Sequence, residues 1–413
     1  MSIGKPILSF GNNLHLPIII NDTVYSISSG ISVNSEDIPV VNNIDFGILK
    51  TSCVSNGFFM PNKNKKVLPF ECVRVKQSVE VGSLIISRMN TPLLVGEVAY
   101  ISKSYCNLFL PDRLWSVRTK NSYDPYWLAS YLITPKIKFR LKELATGTSG
   151  SMKNISQSSF MSIKLCAPKL QEQQKIASFL TSVDSKISQL TENHRLLKEY
   201  KKGVMQQIFS QQLRFKDEDG NAFPEWKFVP LNELANKQSQ KNRDKTVKEV
   251  LTNSAKHGVL LQSSYFDKEI AKEDNTDNYH VVDVDDFVYN PRISVLAPVG
   301  PIGRNKVIRG VMSPLYSVFR FNNLVELDFI EHFFNGATWY KYMHSVANFG
   351  ARHDRMNISS SDLMSLPCPY PCLEEQQKIT QFLQSIDIRV NAVVQQVEQT
   401  KQFKKGLLQQ MFV

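Results

Sequence analysis

A chain of 413 residues with 42% hydrophobic and 10% aromatic side chains has room for two or three domains and enough apolar surface to bury real cores, which excludes general disorder. Its formal net charge is +11 and its sequence pI about 9.2, a balance that favours nucleic acid as a partner without proving it. The opening MSIGKPILSF lacks a charged segment followed by a long apolar one, and no apolar run approaches ~18 residues, so neither a secretory leader nor a membrane span is expected.

Residues 1–167 carry 18 basic against 10 acidic side chains. The segment reads as short β-branched strands and turns, then a helix over about 125–144 and a loop that begins at Gly147. A long helix is expected within 168–215. From Ile176 its apolar positions step by four and three through Leu180, Val183, Ile187 and Leu190 to Val204 and Ile208. A 3.5-residue period held over about four heptads reads as coiled coil. Pro168 lies just upstream, where such a helix can start, and Ile176 to Ile208 spans about 48 Å. Lys201 falls on the seam. Its expected placement is a head that snorkels to water near a fraying end, the other reading being a buried lysine that fixes register. Residues 213–224 read as a polar linker.

The order then repeats. Residues 216–371 form a second globular region, with a helix over about 328–347 and a loop after Gly350, and 372–413 a second long helix with Lys404 on its seam. Without a gap, 170–209 and 373–412 agree at 17 of 40 positions, and Gln173-Gln174-Lys175-Ile176 lands on Gln376-Gln377-Lys378-Ile379, 203 residues on. Upstream, Asn154-Ile155-Ser156 matches Asn357-Ile358-Ser359. The globular regions look like worn copies: 84–88 is matched to 288–292, Val95-Gly96 to Val299-Gly300, and 115–117 to 316–318. The expected fold is mixed α/β (α+β), with pseudo-two-fold symmetry and two helices that pair within one chain.

Catalytic signatures are mostly missing. There is no phosphate-binding GxxxxGK loop, no HExxH, and no Gly-rich strand-to-helix turn for a nucleotide or methyl donor. Asn290-Pro291-Arg292 and Asp124-Pro125-Tyr126 approach the acidic-or-amide, Pro-Pro, aromatic pattern of an amino-methyltransferase but fail it. Glu225-Trp226-Lys227 imitates the end of a nuclease site, yet its nearest upstream acid, Asp219, lies in the linker. Six cysteines form no CxxC pair, so reduced cytosolic thiols are expected rather than zinc. The residues describe a binder that does no chemistry of its own.

The alternation of variable region and LxEQQKI helix resembles the specificity subunit of type I restriction-modification systems. The resemblance covers nearly the whole chain. It rests on 170–176 with Phe179-Leu180, 373–379 with Phe382-Leu383, Lys201-Lys202-Gly203 and Lys404-Lys405-Gly406, and Gln206-Gln207 and Gln409-Gln410. Phe223-Pro224-Glu225-Trp226 followed by Leu231-Asn232-Glu233-Leu234 looks like the usual start of a target recognition domain. The first half lacks Pro-x-Trp, and only 24–30 resembles what normally follows. The resemblance implies target recognition domains at 1–167 and 216–371, spacer helices at 168–215 and 372–413, and an antiparallel coiled coil whose length sets the gap in a bipartite, asymmetric DNA site. It further implies two methylation subunits that act on adenine N6 with S-adenosylmethionine, two restriction subunits that use ATP and Mg, no cofactor in this chain, and a cytoplasmic location.

For DNA contact the expected residues are Arg88 and Arg292, each at a strand end where a guanidinium can meet guanine O6 and N7. Arg352, His353 and Arg355 follow Gly350; Lys153 sits in the matching first loop; Lys103, Arg304 and Lys306 suit phosphates. Trp339, Tyr340 and Tyr342 read as core rather than as a clamp on a flipped base. Gln206, Gln207, Gln409 and Gln410 are expected to face the methylation subunits. The competing readings are a coiled-coil scaffold that does not bind DNA directly and an enzyme with an unrecognised site.

Overall fold

Hydrophobic periodicity sets the architecture, seen here in a computed structural model that describes residues 16–147, 151–265, 276–347 and 354–412. The chain forms two compact units, Met1–Leu190 with Gln396–Val413, and Thr191–Gln395. The four segments of the sequence become two units because each unit takes part of both long helices into its core.

In the first unit, strands Val24–Ser29, Leu114–Thr119, Leu84–Ser87 and Val98–Tyr100 lie side by side in that order, all antiparallel. Leu84 and Ile86 face a core with Trp115, Val117 and Trp127, while Ile85 faces a second core with Leu108, Leu110 and Leu114. Successive strand side chains point to opposite faces. Both faces are covered, so the strand reads as an unbroken apolar run. A five-stranded sheet closes the second core, and in it Leu108 and Phe109 pair in parallel with Gly47 and Ile48.

The second unit repeats this sheet with Ala235–Gln238, Ser317–Phe321, Phe287–Tyr289 and Ile302–Arg304 in the same antiparallel order. Here Phe287 and Tyr289 face the core that holds Phe319 and Phe329, and Val288 and Val318 face the other one. Matching face to face sets Leu84 against Phe287, an offset of 203, the same as in the helices. The sequence match of Leu84 to Val288 is therefore slipped by one residue, which exchanges the two faces. Arg88 corresponds to Pro291, and Arg292 lies one position further on.

The helix expected over 125–144 is two, Pro125–Leu132 and Pro135–Glu143. Thr134, which precedes Pro135, is held extended at φ −63°, ψ 148° and ends the first helix. The helix expected over 328–347 likewise divides into Leu327–Phe334 and Tyr340–Val346, with Asn335-Gly336 after the first. Each leading helix is capped by a carboxylate. Asp124 accepts from the Trp127 N–H at 2.8 Å, and Glu326 from the Phe329 N–H at 2.6 Å.

The long helices span Leu170–Phe209 and Leu373–Met411. Leu180, Val183 and Ile187 share a core with Leu407, Leu408, Met411 and Phe412 in the first unit; Val204, Ile208 and Phe209 share one with Ile379, Leu383 and Ile386 in the second. In both, early turns of one helix meet late turns of the other, so the pair is antiparallel. Neither seam lysine snorkels. Lys404 Nζ lies 2.6 and 2.7 Å from the Asp184 carboxylate oxygens, and Lys201 Nζ lies 2.6 and 2.8 Å from those of Asp387. Each seam lysine is therefore one half of a cross-helix ion pair, and the pair occurs twice at equivalent positions.

The repeated glutamines bolt helix to domain. The Gln173 amide oxygen accepts from the Asp124 N–H at 2.9 Å while its NH2 donates to the Pro168 carbonyl at 2.8 Å. Gln376 does the same with Glu326 at 2.8 Å and Pro371 at 2.9 Å. The linker after the first helix is also fastened, contrary to its reading as a plain polar tether. Arg214 and the Trp226 indole donate to the fully buried Glu375 carboxylate, and the Phe215 and Phe382 rings lie 5.5 Å apart.

Candidate nucleic-acid interface

In the first unit Arg88 leaves its strand half-buried. Its Nε donates to the Asp112 carbonyl at 2.8 Å and its guanidinium lies 5.9 Å from the centre of the Trp115 ring. Those contacts orient the planar fork, and among the described residues no carboxylate pairs with it. The neighbouring Arg113 is exposed, and its carbonyl accepts from the Arg88 N–H at 3.1 Å. Lys153 is brought alongside because Lys153–Asn154 pairs with Met89–Asn90, and its Nζ donates to the Gly147 carbonyl at 3.3 Å. Arg88, Arg113 and Lys153 thus form one cationic surface. Arg113 belongs to no motif; it is brought to Arg88 by the pairing of Leu114–Thr119 with Leu84–Ser87, strands distant in the chain. Lys103 stands apart, exposed in a turn with its Nζ 5.8 Å from the Tyr105 ring centre.

In the second unit Arg292 is exposed and bridges by its backbone to Arg355, 63 positions on. The Asn290 side-chain oxygen accepts from the Arg292 N–H at 3.0 Å and fixes the turn after the strand. Arg355 Nε lies 3.5 Å from Asp354. Arg352 and His353 lie outside the described residues. Arg304 and Lys306 do not stand as open phosphate ligands. Arg304, with 12% of its side chain exposed, reaches Asp285 at 2.6 Å, Asp328 at 2.7 Å and Glu331 at 3.7 Å, and Lys306 reaches Glu331 at 2.6 Å and Asp328 at 3.2 Å. Arg320 is similarly matched to Asp283 and Asp286. Asp283, Asp285 and Asp286 and the later Arg304, Arg309 and Arg320 therefore neutralise one another inside the domain. Trp339 is core, 3% exposed, its indole donating to the Phe334 and Gly336 carbonyls. Gln206, Gln207, Gln409 and Gln410 are all exposed on their helices.

His332 is buried beside the ion pair of Lys201 and Asp387. Burial, and then the nearby Lys201, pushes its imidazole down to about 4, and Asp387 and Asp328 only partly offset this. Between that value and about 6.5 the unfolded chain takes up a proton that the folded unit does not, so stability falls as pH drops through this window. From pH 7.5 to 5.5, wild type is expected to lose about 1.4 kcal/mol more than His332→Gln. Urea titrations of both proteins at the two pH values check this; equal losses refute it.

Among the described residues no group of His, Cys, Asp and Glu is placed to hold a metal ion, and no helix is long and apolar enough to cross a membrane. The cysteines are free.

A family model described as "Type I restriction modification DNA specificity domain" matches residues 35–198. A Methanocaldococcus jannaschii protein provisionally named the type I restriction enzyme MjaX specificity subunit is 27% identical over 359 residues, 81% of this chain and 78% of the relative. The type I restriction enzyme MjaVIII specificity subunit of the same organism is 26% identical over 293 residues, 65% of this chain and 66% of the relative. In fold, the chain is similar to the S subunit of a type I restriction-modification system from M. genitalium, with a TM-score of 0.53, 14% identity and 98% of both chains covered. A chain from a study of type I complex assembly and conformational transition gives 0.56 at 14% identity, with 97% of this chain and 98% of the other covered.

Proposed function

We propose, since this chain belongs to the specificity subunits of type I restriction-modification systems, that each of its two globular regions reads one half of a bipartite, asymmetric DNA sequence. The observation that carries this reading is the duplication. One antiparallel sheet and one helix anchor are built twice, the central strands and the anchoring glutamines at an offset of 203 residues, while the surfaces beyond the strand ends differ. Two related readers with different surfaces suit a site whose halves differ. The scaffold alternative is not favoured, because the matched family is a DNA specificity family.

The subunit acts with the other restriction-modification subunits. We place two methylation subunits on the exposed helix faces that carry Gln206, Gln207, Gln409 and Gln410, using S-adenosylmethionine to methylate adenine N6. Two restriction subunits would add ATP- and Mg-dependent cleavage, in the cytoplasm. This chain supplies recognition and no chemistry. Arg88, Arg113, Lys153, Arg292 and Arg355 are the cations best placed for DNA; Lys103 is a weaker candidate.

Single-molecule sequencing of adenine methylation in cells that express the chain with its methylation subunit tests the reading, and a two-part motif is the expected result. Arg292→Ala should relax or weaken the second half-site alone, by about 1–3 kcal/mol where it meets a guanine. Equal loss at both halves refutes that role for Arg292.

A further inference from the structure

The two units share a turn whose third side chain stands exposed in each. In the first, 91–94 closes when the Leu94 N–H donates to the Thr91 carbonyl at 3.0 Å; in the second, 294–297 closes when the Ala297 N–H donates to the Ser294 carbonyl at 3.1 Å. The turns stand 203 residues apart, each opens on a hydroxyl residue, and each is followed by a glycine at positive φ, Gly96 at 79° and Gly300 at 81°. The third position is leucine in both. Leu93 is 77% exposed and Leu296 63%, and Val295 beside the latter is fully exposed. Single exposed leucines are ordinary. Recurrence at one turn position in two otherwise divergent domains is not.

Their surroundings say what would cover them. The first turn rises from the strand end that carries Arg88, with Arg113 and Lys153 hydrogen-bonded alongside. The second follows Arg292, which bridges to Arg355. Among the described residues the acids nearby are Glu97, buried and paired with Lys138, Asp112, which accepts from Ser32, and Asp354, next to Arg355. An apolar tip beside such cations fits a surface that is anionic at its edge and offers an apolar group within. In the major groove of duplex DNA that group is the thymine C5-methyl. Resting on the reading of this chain as a DNA recognition subunit, we infer that Leu93 and Leu296 are specificity-determining residues, each packing on a thymine methyl in its own half-site.

The test uses the full chain in complex with its methylation subunit, on duplexes carrying deoxyuridine for thymidine in one half-site at a time. Wild type should lose about fourfold in affinity for each contacted methyl removed. Leu93→Ala should abolish that sensitivity in the first half-site only, and Leu296→Ala in the second only. Wild-type indifference to uracil, unchanged sensitivity in the variants, or loss of both half-sites at once overturns the inference while leaving DNA recognition intact. Loss of co-purification with the methylation subunit also overturns it, by assigning the turn to a protein contact. A wild-type complex without sequence preference instead overturns the functional reading beneath it.

Discussion

Replacing Glu375 with alanine is expected to destabilise the second unit by about 3–5 kcal/mol, the range for removing one partner of a buried charge pair. The carboxylate is fully buried. It accepts from Arg214 Nε at 2.8 Å, from Arg214 Nη2 at 3.1 Å and from the Trp226 indole at 2.8 Å. Truncation leaves the indole N–H without its acceptor and the guanidinium with only the Phe223 and Pro224 carbonyls and Glu225 at 3.6 Å, and it unpins the linker that enters the second globular region. At roughly 2–4 °C per kcal/mol for a unit of this size, the unfolding transition should fall by about 10 °C. Glu375→Gln keeps an acceptor for Trp226 and should lose less. Methylation should weaken at sites that depend on the second half-site. A transition shifted by less than ~2 °C in Glu375→Ala would show that the linker is held by apolar contacts such as that of Phe215 with Phe382.

This residue belongs to the LxEQQKI run, and the structure explains why that run stands out. Glu375 holds the linker, Gln376 holds the cap of a helix in the preceding globular region, and Ile379 starts the seam. The helices were legible because a 3.5-residue period survives wherever one face is buried. The strands were legible as strands but not in register. Leu84, Ile85 and Ile86 are all buried, so alternation, the only marker of facing, is absent, and the match to the second copy slipped by one. Pro135 marked the break in the helix over 125–144, yet apolar residues on either side masked it. The site was less legible still. Arg304 looks like any exposed cation until Asp285, Asp328 and Glu331 converge on it from other elements. Arg113 reaches Arg88 only through the pairing of two strands.

Breaking the ion pair between Asp184 and Lys404 should cost the first unit about 3–5 kcal/mol. Lys404 keeps only 9% of its side chain exposed, and Asp184, 24% exposed, also accepts from the Tyr126 hydroxyl. Asp184→Leu strands a lysine on an apolar seam, between Ile187 and Leu408 on the helices and the Phe58 ring, 5.3 Å from its Nζ. The double variant Asp184→Leu with Lys404→Met removes both charges at similar volume, so most of the lost stability should return. A double-mutant cycle by chemical denaturation separates the outcomes. A double variant as unstable as the sum of its singles would show that the two residues act independently. Recovery would assign the pair to specificity rather than to stability. Apart from His194 and Thr400, the other seam positions are apolar, and sliding one heptad leaves those apolar positions matched. A lysine opposite an aspartate at one level in each unit is what distinguishes the correct register, and the occurrence of the same device at Lys201 and Asp387 means that a slip is penalised in both units.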